Sequence, residues 1–578
     1  MGPGDDCAGR ATPRVVWWLV AAYAAVLLGY TVLVPAYVGP DEPYHVDLSH
    51  AVGEDLSYPQ WDGRHLDIGL NRSLRWVRFS ERSKDLTVEN ATPRSERPAI
   101  EDLRDPPQRT QFNQMPQHPP LYYAVTGGAE RLVDALPGEP LRSFDMLNWF
   151  YRLLSVLMVA SLPLIIWKIA ARLGLPDGVG IAAAMAPLAV PQFTHIMALA
   201  NNDSLAVVVM ALVVMAIVPV ARGDLRLRPV LIAGCFTGLA LFTKGMTVVL
   251  PFWGVLAIAL GWWRGRRDGN RLTTALRATA VYGTASILLG GWWWIRNVLV
   301  FDELAPSTDA ARFQDRPGFT PELGTWLSTW FDRTNQTFWG SFGRGHVAVS
   351  SGTVLVASIV AGVLLLLAFW PRAATEPVTT RLLLLAMWPV IVLPIAVSSY
   401  TAYARSGQIP GSQGRYWFGA MAPLAVLVAI GAGGLMGRFV RFLPLLTLAL
   451  VVAMQVNGVT TLLQYFWGGP GASTSQRLDS LVAWSPLPSG PLKAIAAVSA
   501  VVLAGTLWQI VRSPFRPTPT PPVDAAPGEA DDVTDAPDGP SGPDHQPAPA
   551  QPGGNGNGNG SGTDHGDVDP APQPRITT

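Results

Sequence analysis

Long apolar runs separated by short polar loops set the pattern of this chain, and two polar stretches are far longer than the rest. The first run is Val15–Val34. After a polar segment from Tyr37 to Pro120 come Phe150–Ile169, Val179–Leu199, Ser204–Val220, Val230–Phe242, Met246–Trp263 and Ala278–Val300. A second polar segment extends from Phe301 to about Gly352, and Val354–Trp370, Leu382–Tyr400, Tyr416–Met436, Leu443–Leu463 and Ala494–Val511 follow it. A helix needs about 17–25 mostly apolar residues to cross a bilayer. The pattern therefore predicts an all-α polytopic membrane protein, a bundle of about twelve transmembrane helices with two large outer loops. Val230–Trp263 is short for two spans, but it is basic at both ends and reads as two crossings. Leu121–Val133 and Thr320–Asn335 are shorter and read as helices at the membrane surface or entering it part way. In the second, Thr320 would cap, Pro321 suits the first helical position, and Trp326 and Trp330 share a face.

Charge orients the pattern, because basic residues collect in cytoplasmic loops. With the N-terminus inside, one side holds Lys168 and Arg172; Arg222, Arg226 and Arg228; and Arg264, Arg266, Arg267 and Arg271. The same side holds Arg372 and Arg381, Arg438 and Arg441, and Arg512 and Arg516. Both long polar segments then face outward and both termini are cytoplasmic. Val15–Val34 is too long for a cleaved signal and lacks a small-residue cleavage site, so it reads as a retained anchor. Residues 1–14 are expected to form a cytoplasmic tail, 15–511 the membrane domain with outer loops 37–120 and 301–352, and 512–578 a disordered tail. The last is rich in Pro, Gly, Asp and Ala, a composition that cannot bury a core.

Composition adds two exclusions. Lys+Arg and Asp+Glu are equal at 42 each, so no basic surplus points to nucleic acid. Cys7 lies in the N-terminal tail and Cys235 in an apolar run, so no structural disulfide is expected.

The polar chemistry gathers at the outer ends of the spans. Pro40-Asp41-Glu42-Pro43-Tyr44-His45 follows the first span, with two adjacent carboxylates suited to a general base or a metal ligand and His45 four residues after Asp41. The plain alternative is a solvated helix start, where acidic residues are favoured. Gln117-His118-Pro119-Pro120 punctuates the start of a surface helix, and Asn201-Asn202-Asp203-Ser204 can cap the next one. Lys244 is a lone cation in an apolar tract, where ionisable groups are costly and mark function unless they snorkel to the interface. Arg296 beside Trp292-Trp293-Trp294, and Arg415 in Gln413-Gly414-Arg415-Tyr416, could bind a phosphate. Phe338-Trp339-Gly340-Ser341-Phe342-Gly343 offers aromatic faces for a sugar or for interfacial anchoring. Together these groups suit an anionic lipid-linked donor and a polar acceptor. Neither a phosphate-binding glycine loop nor a specific metal-ligand spacing is present.

The order Pro-Asp-Glu-x-x-His, His-Pro-Pro-Leu-Tyr-Tyr, Asn-Asn-Asp, Thr-Lys-Gly, Arg-Asn, Phe-Trp-Gly-x-Phe-Gly and Gln-Gly-Arg-Tyr resembles the domain-of-unknown-function 2142 family of bacterial membrane proteins. That family is related to membrane glycosyltransferases of the GT-C fold, and the likeness runs from about Val15 to Val511. The resemblance implies transfer of a sugar from a polyprenyl-phosphate donor to a cell-envelope glycan, lipid or protein at the plasma membrane, with inversion at the anomeric carbon. It makes Asp41 or Glu42 the catalytic carboxylate. Lys244, Arg296 and Arg415 would then hold the donor phosphate, and His45, His118, Asn202, Asp203, Trp339 and Gln413 would contact substrate. A divalent cation held by Asp41, Glu42 or Asp203 would share the charge stabilisation, and no other cofactor is expected. Two other classes also fit a polytopic chain with buried charges: a lipid or polysaccharide transporter, and a non-catalytic glycan-binding envelope protein. Paired inverted halves with matching broken helices, the mark of many transporters, are not seen in the sequence.

Overall fold

In the computed structural model, residues 11–307, 313–371, 373 and 376–515 are described, and within them nearly every apolar run is helical. The chain divides into two units, Met1–Arg516 and Pro517–Thr578. The second, and with it the expected C-terminal tail beyond 515, lies outside the described residues, as do residues 1–10, Arg372 and Arg516.

The first half begins with α1 (Arg14–Leu33), α2 (Glu42–Asp55) and a short α3 (Ile68–Ser73). It continues with α4 (Leu121–Asp134), α5 (Phe144–Val159), α6 (Leu162–Arg172), α7 (Asp177–Met185) and α8 (Pro191–Met197). Then come α9 (Asp203–Ala221), α10 (Leu227–Leu241), α11 (Leu250–Gly265), α12 (Leu272–Ser286) and α13 (Trp292–Phe301). The second half has α14 (Leu323–Trp339), a hairpin of β1 (Ser341–Phe342) and β2 (Val347–Ala348), α15 (Ser351–Leu367) and α16 (Val378–Ser406). It ends with α17 (Met421–Met436), α18 (Leu443–Phe466), α19 (Thr474–Trp484) and α20 (Ser489–Arg512).

Among the described residues seven stretches are long and apolar enough to cross a membrane, or eight if the bent pair α7–α8 is one span. One of them, Gly414–Phe466, contains both α17 and α18, while α10 and α15 are apolar but shorter. The run expected as one straight span, Val179–Leu199, is instead broken by 76° between α7 and α8. Pro187 and Pro191 explain the break: each lacks an N–H, and the backbone between them forms a 3₁₀ turn. The run Ala278–Val300 is α12 and α13 joined by a π-helical turn, Ile287–Gly291, where the chain lies against the Gly238 carbonyl of α10.

Both of these shorter segments are helical. The first is α4, packed on α2 with Gly127 against the Gly53 backbone and with Thr126 Oγ1 donating to Ser49 Oγ at 2.8 Å. The second, α14, starts at Leu323 and not after a Thr320 cap; Glu322 stands at its N-cap without a side-chain bond. Its Trp326 and Trp330 rings stack at 5.8 Å and are buried beside Val392 and Tyr403 of α16, so the indole face meets protein and not the membrane interface.

The bundle has two polar ends. α9 starts at Asp203 and spans 19 residues to Ala221, roughly 28 Å at 1.5 Å per residue. At the Ala221 end the basic loops meet: Arg264 Nη1 donates to the Ala221 carbonyl at 3.0 Å, Arg222 Nη1 to the Arg172 carbonyl at 2.6 Å, and Arg222 Nη2 pairs with Glu376 at 2.5 Å. Between the two ends the core is apolar and close-packed, with Tyr23, Leu27, Ile166, Met210 and Leu427 almost fully buried.

Small residues permit the tightest crossings, as is usual for helices in lipid. A Cβ on Gly431 of α17 would stand 1.9 Å from the Leu364 carbonyl oxygen of α15. Gly431→Ala should therefore destabilise the protein by about 1–3 kcal/mol through overpacking. Gly29→Ala, where nothing lies within 4 Å, is the control. Thermal unfolding in detergent checks this: equal midpoints for the two variants would contradict the packing.

Candidate functional site

Opposite the basic end, segments distant in sequence bring their polar groups together. Asp41 occupies the N-cap position of α2 with φ of 58°, in the left-handed region that non-glycine residues seldom adopt. Its carbonyl accepts from the Tyr44 and His45 N–H groups, which frees the side chain to point away from the helix end. Arg415, at the start of the 3₁₀ turn Gly414–Ala420 leading into α17, pairs through Nη2 with the Asp41 carboxylate. The Tyr416 ring lies 5.7 Å from the Arg415 guanidinium carbon. Asp41 keeps 27% of its side chain exposed.

A second ion pair is assembled from the next loops. Lys244 follows α10 in extended backbone, and its Nζ pairs with Asp203 Oδ1 at 2.7 Å and donates to Asn202 Oδ1 at 3.0 Å. Asp203 and Asn202 are buried where α9 begins. His118 rests against the Gly245 turn. His45 shares a hydrogen bond of 2.9 Å with the Tyr123 hydroxyl, and the two rings stack. Tyr58 donates its hydroxyl to the His118 carbonyl at 2.7 Å and packs edge-on against Trp293. Four buried atoms here have no protein hydrogen-bond partner: Asp203 Oδ2, Asn202 Nδ2, His118 Nδ1 and Arg415 Nε.

The electrostatics are set by burial and by the paired cations. Burial alone would raise the Asp41 pKa, but Arg415 outweighs it, helped by His45 and Lys244, and holds the carboxyl below the ordinary aspartate value. Burial and then the Lys244 charge push His118 down to about 3. Burial also lowers His45 well below the usual imidazole range. Both histidines are therefore neutral near pH 7 and act as hydrogen-bonding groups, while Asp41 is ionised.

Other expected site residues lie elsewhere or are already engaged. Glu42 is fully buried, with Oε1 and Oε2 at 2.7 and 2.8 Å from Arg152 Nε and Nη2, and it also accepts from the Gly39 and Ala200 N–H groups. Its carboxylate is saturated, which corrects its assignment as a base or metal ligand. Arg296 lies over the Trp293 and Phe301 rings at 4.8 and 5.0 Å, and among the described residues it makes no ion pair. Arg415 and Lys244 are instead each paired with a carboxylate of the centre, Asp41 and Asp203. Trp339 is buried with its indole N–H donating to Ser358 Oγ at 2.8 Å, a packing role that leaves no ring face for a sugar. Gln413 is exposed at the head of the Arg415 turn, its carbonyl accepting from the Tyr416 N–H.

Arg152 escaped the sequence reading. It is a lone arginine inside the apolar run Phe150–Ile169, a signal of the same kind as Lys244. Besides Glu42 it donates to the Thr31, Val34 and Pro35 carbonyls at the end of α1. Tyr123 belongs to the His-Pro-Pro-Leu-Tyr-Tyr motif but was given no role, and Tyr58 carried no isolating signal, because its partners are brought close only by the fold.

A chain of this architecture is a polytopic membrane protein with a charged centre at one end of its helix bundle. It belongs to the family described as "Predicted membrane protein (DUF2142)", whose profile matches residues 25–428. No curated protein matches the chain in sequence. Among solved structures, ArnT from Cupriavidus metallidurans bound to undecaprenyl phosphate is similar over 86% of this chain and 77% of its own, at 14% identity and a TM-score of 0.42. The oligosaccharyltransferase from Archaeoglobus fulgidus in its apo form is similar over 79% of this chain and 56% of its own, at 12% identity and a TM-score of 0.41.

The Glu42–Arg152 pair generates a prediction. Removing one partner of a buried ion pair costs about 3–5 kcal/mol, since the other charge is left unpaired. Glu42→Gln should lower the thermal midpoint and folded yield sharply, while Asp41→Asn, which alters a partly exposed carboxylate, should lower them little. Size-exclusion profiles and thermal unfolding of the two variants check this.

Proposed function

We propose that the protein is a membrane glycosyltransferase that transfers a sugar from a polyprenyl-phosphate donor to a cell-envelope acceptor on the non-cytoplasmic side of the bacterial plasma membrane. The observation that carries this reading is the convergence of Asp41–Arg415 and Lys244–Asp203 beside Asn202 and two neutral histidines. Asp41 is the most accessible carboxylate of the centre and takes the proton of the acceptor hydroxyl. Arg415 and Lys244 stabilise the negative charge that develops on the departing lipid phosphate. The unpartnered Asn202 Nδ2 and Arg415 Nε are donors suited to the same phosphate, and His118 Nδ1 and Asp203 Oδ2 are acceptors for sugar hydroxyls. Attack opposite the phosphate inverts the anomeric carbon.

A metal held by Asp41, Glu42 and Asp203 does not fit this arrangement. Glu42 is saturated, and the other two carboxylates already face Arg415 and Lys244, so we route no step through an ion here. A lipid transporter is the second reading, favoured by the bent pair α7–α8. Against it, the charged groups stand at helix starts and not mid-span, where transport sites lie.

Purified protein given a radiolabelled polyprenyl-phosphate sugar and envelope acceptors tests the activity. Asp41→Asn should abolish transfer and spare folding; full turnover in that variant would remove Asp41 from the mechanism. A charged hydrogen bond is worth roughly 1.5–3 kcal/mol, about 10- to 150-fold in affinity or rate. Lys244→Gln and Arg415→Lys should each weaken donor binding by that order, lysine lacking the two-pronged contact with phosphate. Arg296→Gln should change it little.

The pH profile gives an independent check. The folded pKa of Asp41 is depressed, so its ionised form persists above that value and is lost only as pH falls through it. The acid limb of activity should lie below the ordinary aspartate range in wild type and move upward in Arg415→Gln. For sidedness, Ser80 is exposed in the first long polar segment. An impermeant thiol reagent should label Ser80→Cys in intact cells and leave Gly528→Cys unlabelled; the reverse result would invert the orientation.

A further inference from the structure

Away from the Asp41 centre, near the C-terminal end of α2, a second polar cluster remains that the proposed transfer does not use. His50 is nine residues after Asp41, roughly 13 Å along the chain axis at helical rise. Its side chain is only 7% exposed, and Nε2 is ion-paired with Glu101 and Glu54 without the alignment of a good hydrogen bond. Nε2 faces Glu101 Oε1 at 3.1 Å and Glu54 Oε2 at 3.6 Å, and the three ligand atoms lie within 4.8 Å of one another. We propose that His50, Glu54 and Glu101 form a binding site for a divalent transition-metal ion of the zinc class.

The geometry matches such an ion. Bonds of about 2.0–2.2 Å to nitrogen and oxygen in a tetrahedron place ligand atoms about 3.3–3.6 Å apart. The imidazole is held by its other nitrogen: Nδ1 lies 2.6 Å from Glu130 Oε1, and Glu130, itself buried, also receives the Tyr151 hydroxyl. A carboxylate behind a metal-binding histidine orients the ring and raises its basicity. Glu54 is braced by Arg104 Nη2 at 3.1 and 2.8 Å, and Arg104 Nε is tied to Asp67 at 3.0 Å. Glu54 and Glu101 are 38% and 50% exposed, which opens the site to water for entry and for a fourth ligand. The site sits in the last two turns of α2, where the helix dipole favours a cation, and Arg131 already donates to the Gly53 and Glu54 carbonyls there at 3.2 and 3.4 Å. A nitrogen ligand selects zinc-type ions over calcium and magnesium, which prefer oxygen alone.

Such an ion would clamp α2 to the Glu101 loop and, through Glu130, to α4. It would thereby steady the helix whose first turn presents Asp41.

The test uses tag-free, full-length protein in detergent, stripped with a chelator and titrated at pH 8 with zinc by calorimetry and with cobalt by visible absorption. Wild type should take up one equivalent, with the intense d–d bands of four-coordinate cobalt, and the chelator should lower its thermal midpoint. Glu101→Gln, a change at a half-exposed side chain that leaves folding intact, should weaken uptake at least tenfold. His50→Gln should abolish it, and Asp41→Asn should keep it. No saturable uptake, or uptake unchanged in Glu101→Gln, overturns the proposal. The measurement needs no turnover, so its failure leaves the transferase reading standing.

Discussion

The buried pair Glu42–Arg152 is the interaction on which the candidate site depends. Arg152 projects from α5 and gathers the last carbonyls of α1, while Glu42 gathers backbone N–H groups from the loop before α2 and from the loop before α9. Two charges in so dry a place persist only if each is fully paired and hydrogen-bonded. Meeting that condition pins three chain segments at once: the end of the first helix, the turn holding Asp41 and the loop carrying Asn202 and Asp203. Adjacent carboxylates thus have opposite fates. Glu42 is a strut, and Asp41, turned the other way by its left-handed backbone, is presented to the cleft.

The same principle orders the centre itself. Neither Lys244 nor Arg415 is left unpaired, yet each pairing is partial. Asp203 Oδ2 and Arg415 Nε stay unpartnered, and Asp41 is partly open. A fully satisfied network would be inert, and an unpaired one would be too costly in a low-dielectric setting. Two ion pairs with spare donors and acceptors are poised for a ligand that brings negative charge and hydroxyl groups.

Packing decides which aromatic residues serve the site and which serve the scaffold. Tyr123, Tyr58 and Trp293 form a run of touching rings that links His45 to Arg296. Trp326 and Trp330, whose segment reads as an interfacial helix, and Trp339, which reads as a sugar platform or an interfacial anchor, are turned into contacts with α16 and α15. Tryptophan is large and amphipathic, so it is as useful for locking a surface helix to the bundle as for meeting lipid or sugar. Local sequence does not separate these uses.

Hydropathy alone was enough to establish a polytopic helical protein, to place most helices within a few residues, and to gather basic loops at one end and polar motifs at the other. Those features follow from near-neighbour rules: a backbone in lipid must satisfy its own hydrogen bonds, and charge avoids the bilayer. The motifs around Asp41, His118, Asn202, Lys244 and Arg415 were legible for the same reason, since each is a polar island at the end of an apolar run. Which islands meet was not legible. The break between α7 and α8, the burial of Glu42 on Arg152 and the His50–Glu101 contact all depend on partners tens to hundreds of residues away. Only the folded packing brings such partners within hydrogen-bond distance, and at that distance the choice between a strut, a base and a ligand is made.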